Sequence, residues 1–108
     1  MARRPKGTQS FIRSGAAIGD ELIKAGYSIL YSVNLSWTGA TADDLVRIHD
    51  CAAVADLTNA NRIFSFRIPT ATGTFAATLP AVGKDALLGL VFNLQASGIK
   101  LDVDISYD

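Results

Sequence analysis

From Tyr27 to Trp37 the chain alternates with a period of two, Tyr27, Ile29, Tyr31, Val33, Leu35 and Trp37 on one side and Ser28, Leu30, Ser32, Asn34 and Ser36 on the other. Only Leu30 breaks the pattern. Successive side chains of a strand point to opposite faces, so aromatic and β-branched residues at every second position predict one buried face and one near water. At about 3.3 Å per residue the segment would run roughly 36 Å, long for a strand. The end of the chain repeats the device, with Ile99, Leu101, Val103, Ile105 and Tyr107 on one side and Lys100, Asp102, Asp104 and Ser106 on the other. A helix would scatter those acids around its surface.

Shorter alternating pieces lie between these two. Thr38-Gly39-Ala40-Thr41 turns the chain from the long strand into Asp44 to Asp50. Phe64, Phe66 and Ile68 alternate and stop at Pro69, which cannot donate to a ladder. Phe75, Ala77 and Leu79 alternate before Pro80, after a turn at Gly73. Leu88, Leu90, Phe92 and Leu94 alternate again, and Leu87 and Val91 on the other side imply that both faces are partly covered. Ser97-Gly98 turns into the final strand. Ala16 to Ala25 carries Ile18, Leu22 and Ile23 at helical spacing, but Gly15, Gly19 and Gly26 weaken a helix, so a strand is predicted there. Cys51 to Asn61, rich in Ala, Asp, Thr and Asn, reads as a loop with one helical turn. About six to eight short strands with no long helix predict an all-β fold, a single antiparallel β-sandwich of jelly-roll or immunoglobulin-like topology.

Composition narrows the class. A length of 108 residues allows one core; two would leave units that need disulfides or a metal, and one cysteine supplies neither. Ten Lys and Arg balance ten Asp and Glu, so the net field cannot hold a polyanion, and a general binder of nucleic acid or acidic membrane is not expected. The uncharged run Ala86 to Ile99 is interrupted by Asn93, Gln95 and Ser97, and no uncharged run reaches the roughly 20 apolar residues of a spanning helix. Arg3, Arg4 and Lys6 lead into Thr8-Gln9-Ser10 rather than an apolar stretch, so no secretory leader is predicted and a reducing cytoplasm is the expected site of synthesis. A neutral chain with 19% charged residues and positive mean hydropathy suits a protein that works assembled, as a homo-oligomer.

The residues that carry chemistry in other proteins are sparse here. His49, Asp50 and Cys51 are consecutive, and strand neighbours point to opposite faces, so they cannot orient one another as nucleophile and base. The expectation is that Asp50 caps the following turn and that His49 lies on the wetter side. Asp102 and Asp104 share a face about 6.5 to 7 Å apart, a spacing that suits an inverting acid and base, but also any solvated strand or inter-subunit acidic patch. One His and one Cys cannot make a structural zinc site. Trp37 and the tyrosines could form a sugar-stacking platform; their alternation with Ile29, Val33 and Leu35 places them in the core instead. Gly15-Ala-Ala-Ile-Gly19 lacks the following Lys-Ser/Thr of a phosphate loop. No catalytic residue, metal or cofactor is predicted, and the chain is not read as an enzyme.

Residues 1–14 read as a flexible basic arm and 15–108 as the sandwich. The arm holds Arg3, Arg4, Lys6 and Arg13 and no acid, with one apolar pair, Phe11-Ile12. Extended, it could reach on the order of 45 Å, enough to lie across a neighbour and bury Phe11 and Ile12. Four charges are too few to hold nucleic acid at physiological salt, which points to a protein partner. The tail is acidic, and Arg3, Arg4 or Arg13 meeting Asp102 or Asp104 of an adjacent subunit is the expected contact.

The order of these features has a counterpart. Gly26-Tyr27-Ser28-Ile29-Leu30-Tyr31-Ser32-Val33-Asn34-Leu35, followed by Thr38-Gly39-Ala40-Thr41-Ala42-Asp43-Asp44-Leu45-Val46-Arg47-Ile48-His49-Asp50, resembles small tailed-phage proteins of the form G-x-L-Y-x-I-x-V-x-N-x-G-A-T-A-x-x-V-K-L-Y-D. In them a loop leads to a strand ending in proline and later to a G-I-x-F strand, as Phe64 to Pro69 and Gly89-Leu90-Val91-Phe92 do here. The similarity runs from Ala25 to Tyr107, with His49 where a tyrosine is typical and a shorter segment after Phe92. It implies a β-sandwich structural protein of the virion, a head decoration or cement protein that binds the major capsid protein at the capsid surface after assembly in the bacterial cytoplasm. The alternative is a module of the tail, neck or fibre that recognises carbohydrate.

Overall fold

A computed structural model of the chain describes residues 9–15, 19–41, 44–79, 83–95 and 99–108. Among them are strands β1 (Gln9–Gly15), β2 (Glu21–Ala25), β3 (Ser28–Thr38), β4 (Leu45–His49), β5 (Arg62–Arg67), β6 (Gly73–Thr78), β7 (Lys84–Ala86), β8 (Gly89–Gln95) and β9 (Lys100–Tyr107), with single-turn 3-10 helices at Val54–Asp56 and Asn59–Asn61. Every strand pairing is antiparallel. One sheet runs β1-β9-β3-β6, with β7 added to the start of β3, and the other runs β2-β8-β4-β5. The chain thus crosses between sheets at nearly every connection, and β4-β5 is the hairpin that stays in one. Setting the short β7 aside, this order is the jelly roll; an immunoglobulin sandwich would group its strands differently.

The core is what the alternations demanded. Val33, Leu35 and Trp37 of β3 and Leu101, Val103, Ile105 and Tyr107 of β9 face Val46 and Ile48 of β4 and Leu90 and Phe92 of β8, all buried. Aromatic pairs tie the layers: Phe66 of β5 stacks on Phe75 of β6 at 4.0 Å between ring centroids, and Trp37 meets Phe66 at 5.6 Å. The indole N–H of Trp37 donates to the carbonyl of Thr70 at 2.9 Å, so its one polar atom is satisfied inside the fold.

Leu30 is no exception to a uniform strand. Leu30 lies opposite Tyr107 and Ser32 opposite Ser106, so β3 advances two residues where β9 advances one. That bulge at Tyr31 exchanges the two faces. Ser28 and Leu30 point inward before it and Val33, Leu35 and Trp37 after it. The expectation that Tyr27, Ile29 and Tyr31 share the buried face is therefore corrected: Tyr27 is exposed, and Ile29 and Tyr31 are half-buried.

The boundary of the arm also differs from the one expected. Gln9–Gly15 is β1, in register with β9 from Gln9 opposite Tyr107 to Gly15 opposite Leu101. Phe11 is buried and packs at 5.9 Å from Phe92. Physically, an apolar residue inside a polar segment found a place over the chain's own core and supplied the ladder that the outer edge of β9 needed. Arg3 and Arg4 lie outside the described residues.

Candidate functional site

Beyond the strands' regular pairing, the outer face of the β2-β8-β4-β5 sheet carries a cleft of about 520 Å³, lined by Asp20, Arg47, His49, Leu57, Thr58, Asn59, Asn93, Leu94 and Gln95. Alternation along β4 sends Val46 and Ile48 inward and therefore Arg47 and His49 outward together. On β8 the residue opposite Arg47 is Asn93, and the residue opposite His49 is Val91. Such a face would ordinarily be wet. Here the segment after β4 folds back over it, so that His49 is only 3% exposed.

That segment is held by its own polar groups. The Asp50 amide donates to Asn61 O at 2.7 Å, closing the loop at its base. Asn61 Oδ1 accepts the Thr58 amide at 3.2 Å, and Asn61 Nδ2 donates to Asp56 O at 2.9 Å. His49 Nδ1 lies 3.0 Å from Thr58 O and 2.8 Å from Asn61 Oδ1. Both are acceptors, so Nδ1 carries the proton, and in the neutral ring Nε2 is a bare lone pair. Neither His49 Nε2 nor Arg47 Nε, both buried, has a hydrogen-bond partner among the described residues. At the rim, Asp20 Oδ1 accepts from Asn93 Nδ2 at 2.8 Å and from the Leu94 amide at 3.2 Å.

His49 is thus not on the wetter side, as the sequence suggested, but under a loop. Asp50 does not cap the next turn through its side chain; its two oxygens accept the amides of Leu87 and Leu88 at 3.0 and 2.8 Å. Cys51 is buried, its Sγ donates to Ala53 O at 3.5 Å, and burial pushes its thiol above the usual range, the reverse of an activated nucleophile. Among the described residues no three His, Cys, Asp or Glu side chains come together as a metal would require.

The residues predicted for inter-subunit contact are distributed as follows. Phe11 is in the core, and Ile12 is 61% exposed on the outer face of the other sheet. Arg13 pairs with Glu21 of β2 through Nε–Oε1 at 3.0 Å and through Nη2–Oε2, and its guanidinium sits 4.3 Å from the centre of the Phe11 ring. It clasps the neighbouring edges of the two sheets. Asp102 accepts hydrogen bonds from Ser14 of β1 and, at 3.4 Å, Ser36 of β3. Asp104 stands between Ile12 and Asn34 in register. The two acids lie on one face and line one shallow pocket together with Arg13, whose ion pair is made with Glu21.

The loops at one end of the sandwich form a second feature. The Gly26 amide donates to Leu88 O at 2.9 Å, and the Tyr27 hydroxyl donates to Asp85 at 3.0 Å, a bond that raises the Tyr27 pKa. The Asp50 carboxylate pins the backbone of this turn by accepting the Leu87 and Leu88 amides, yet Tyr27, Leu87 and Leu88 are exposed there.

The fold and these two features define a jelly-roll sandwich with an open polar cleft and an apolar loop end. Against models of known protein families the chain matches none, and among curated proteins none matches it.

Proposed function

We propose that the chain is a structural protein of a bacteriophage particle, a head decoration or cement protein that acts in many copies on the major capsid protein at the shell surface. The observation that supports this reading is the apolar loop end: Leu87 is 69% and Leu88 60% exposed, although their backbones are fixed by Asp50. Large apolar groups held rigidly in water serve contact with another protein. Fully burying one leucine contributes roughly 1.5–3 kcal/mol, so a single copy binds weakly and many copies engaged on one shell bind well. Jelly rolls house coat-protein domains and lectins alike, so the architecture is compatible by analogy only. The resemblance to small tailed-phage proteins supplies the particle.

The contact surface in this reading moves from the arm's Phe11 and Arg13, which are occupied within the chain, to the loop end. Ile12 and the acidic pair Asp102 and Asp104 remain on an open sheet face where a neighbouring copy would lie. The tail, neck or fibre alternative loses Trp37 as a stacking platform, since it is 4% exposed. Particles assembled with the Leu87→Asp, Leu88→Asp double variant in place of the natural chain should lack the protein while the variant stays folded. Immunogold labelling of particles carrying the natural chain should mark heads. Label on tails would favour the alternative, and full incorporation of the double variant would refute the loop end as the contact.

A further inference from the structure

We propose that β6 is the interface of a two-fold symmetric dimer, in which its outer edge pairs antiparallel with the same edge of a second copy of this chain, centred on Ala76. This inference is independent of the virion reading. An unpaired strand edge is a template for further pairing, and proteins ordinarily blunt it with a charge, a proline or a bulge. Among the described residues the sheets end at β1, at β6 beside β7, at β2 and at β5. β1 carries Arg13, β7 Lys84 and Asp85, β2 Glu21 and Lys24, and β5 Arg62 and Arg67. β6 carries no charge, and none occurs anywhere from Ile68 to Gly83. Its register with β3 runs from Gly73 to Thr78 without a bulge. Charge also selects the occupant. A two-fold sets every group near its own image, so a charge on this edge would be repelled by itself, whereas a foreign strand could answer it with the opposite sign.

The backbone fits the same symmetry. The Leu79 amide donates to Tyr31 O of β3 at 2.9 Å, so by alternation the backbone groups of Phe75 and Ala77 face β3 and those of Thr74, Ala76 and Thr78 face away from it. The side chains of these last three residues are exposed. A two-fold at Ala76 sets Ala76 opposite itself and Thr74 opposite Thr78, so that every outward residue exchanges both of its backbone hydrogen bonds with the second copy. Thr against Thr is a favourable cross-strand pair. On the inner side Phe75 falls opposite Ala77, a large group against a small one. There Phe75 stacks on Phe66 at 4.0 Å and lies 6.2 Å from Phe64, and all three rings are half-buried. Continuation of the sheet through a second β6 covers this apolar seam.

Sedimentation equilibrium of the full chain over roughly 1 μM to 1 mM, the range in which a small interface dissociates, should show the mass rising from 11.4 kDa toward twice that value. Ala76→Lys and Ala76→Glu, each placing like charges across the axis, should remain single chains over the same range with thermal midpoints close to that of the dissociated natural chain. An equimolar mixture of the two variants should dimerise again, because each charge then meets its opposite. The proposal is overturned if the natural chain stays monomeric, which would leave the edge to a foreign strand, if Ala76→Lys associates as the natural chain does, or if the mixture associates no better than either variant alone.

Discussion

Gly89 shows how little latitude single positions have where the loops meet. Its φ is +151°, and a Cβ there would lie 2.6 Å from Lys24 O and 2.7 Å from Cys51 O, backbone atoms that cannot swing aside. Gly89→Ala should cost about 2–4 kcal/mol, whereas Gly19→Ala, with open space around it, should stay within about 0.5 kcal/mol of the natural chain, as urea unfolding would measure. Cys51 makes a second prediction. Its thiol is raised above 9.0 by burial, so the unfolded chain ionises first as pH climbs. The stability this confers is complete below that value and is lost as pH rises through the raised folded value. Cys51→Ala should therefore flatten the alkaline fall in urea midpoint, and in the natural chain a thiol reagent should react no faster than local or global opening allows. At this scale the sequence was only partly legible. Trp37 and the acids of the last strand could be placed by parity alone, but the burial of His49 depends on a loop closing over it. No local pattern announces that; the nearest signal was Arg47 and His49 sharing one strand face.

At the scale of elements, β1 carries the clearest consequence. Among the described residues it pairs only with β9, and Phe11 is its one buried residue. Phe11→Ala should lower stability by about 3–5 kcal/mol in chemical denaturation. Truncation to start at Gln9 keeps every pairing of β1, so it should leave the thermal midpoint near that of the full chain; truncation to start at Ala16 should expose Phe92 and the edge of β9 and promote aggregation. Strand positions were readable because period two survives in β5, β6, β8 and β9. Two things escaped. The bulge at Tyr31 changes parity inside an otherwise regular run, and one face looked continuous across it because Ile29 and Tyr31 are themselves apolar. β1 was hidden because its alternation, one buried residue among polar ones, is indistinguishable in sequence from a basic arm.

For the molecule as a whole, an all-β sandwich followed from alternation and turn spacing, but jelly roll against immunoglobulin-like did not. That choice depends on which sheet each strand joins, and strands buried against either sheet have the same composition. The exact charge balance, ten against ten, proves partly internal, since Arg13 and Glu21 offset each other across the sheet edges. If the protein associates with itself through the loop end, sedimentation of the natural chain should depend on concentration and that of the Leu87→Asp, Leu88→Asp variant should not; equal behaviour of the two would remove this face from any self-association.

The pairing of β1 with β9 has a consequence for how the molecule can be handled. Gln9 sits opposite Tyr107, while Asp108 exchanges backbone hydrogen bonds with Ile29 and accepts the Ser28 hydroxyl at 2.6 Å, two residues from Tyr27. Gln9 and Asp108 thus both lie beside the apolar loops, and a group joined to Asp108 is delivered to that end. A bulky carboxy-terminal fusion should obstruct docking without disturbing the fold, whereas cargo inserted at the opposite end, in the turn at Gly39 between β3 and β4, should face away from whatever surface the protein occupies.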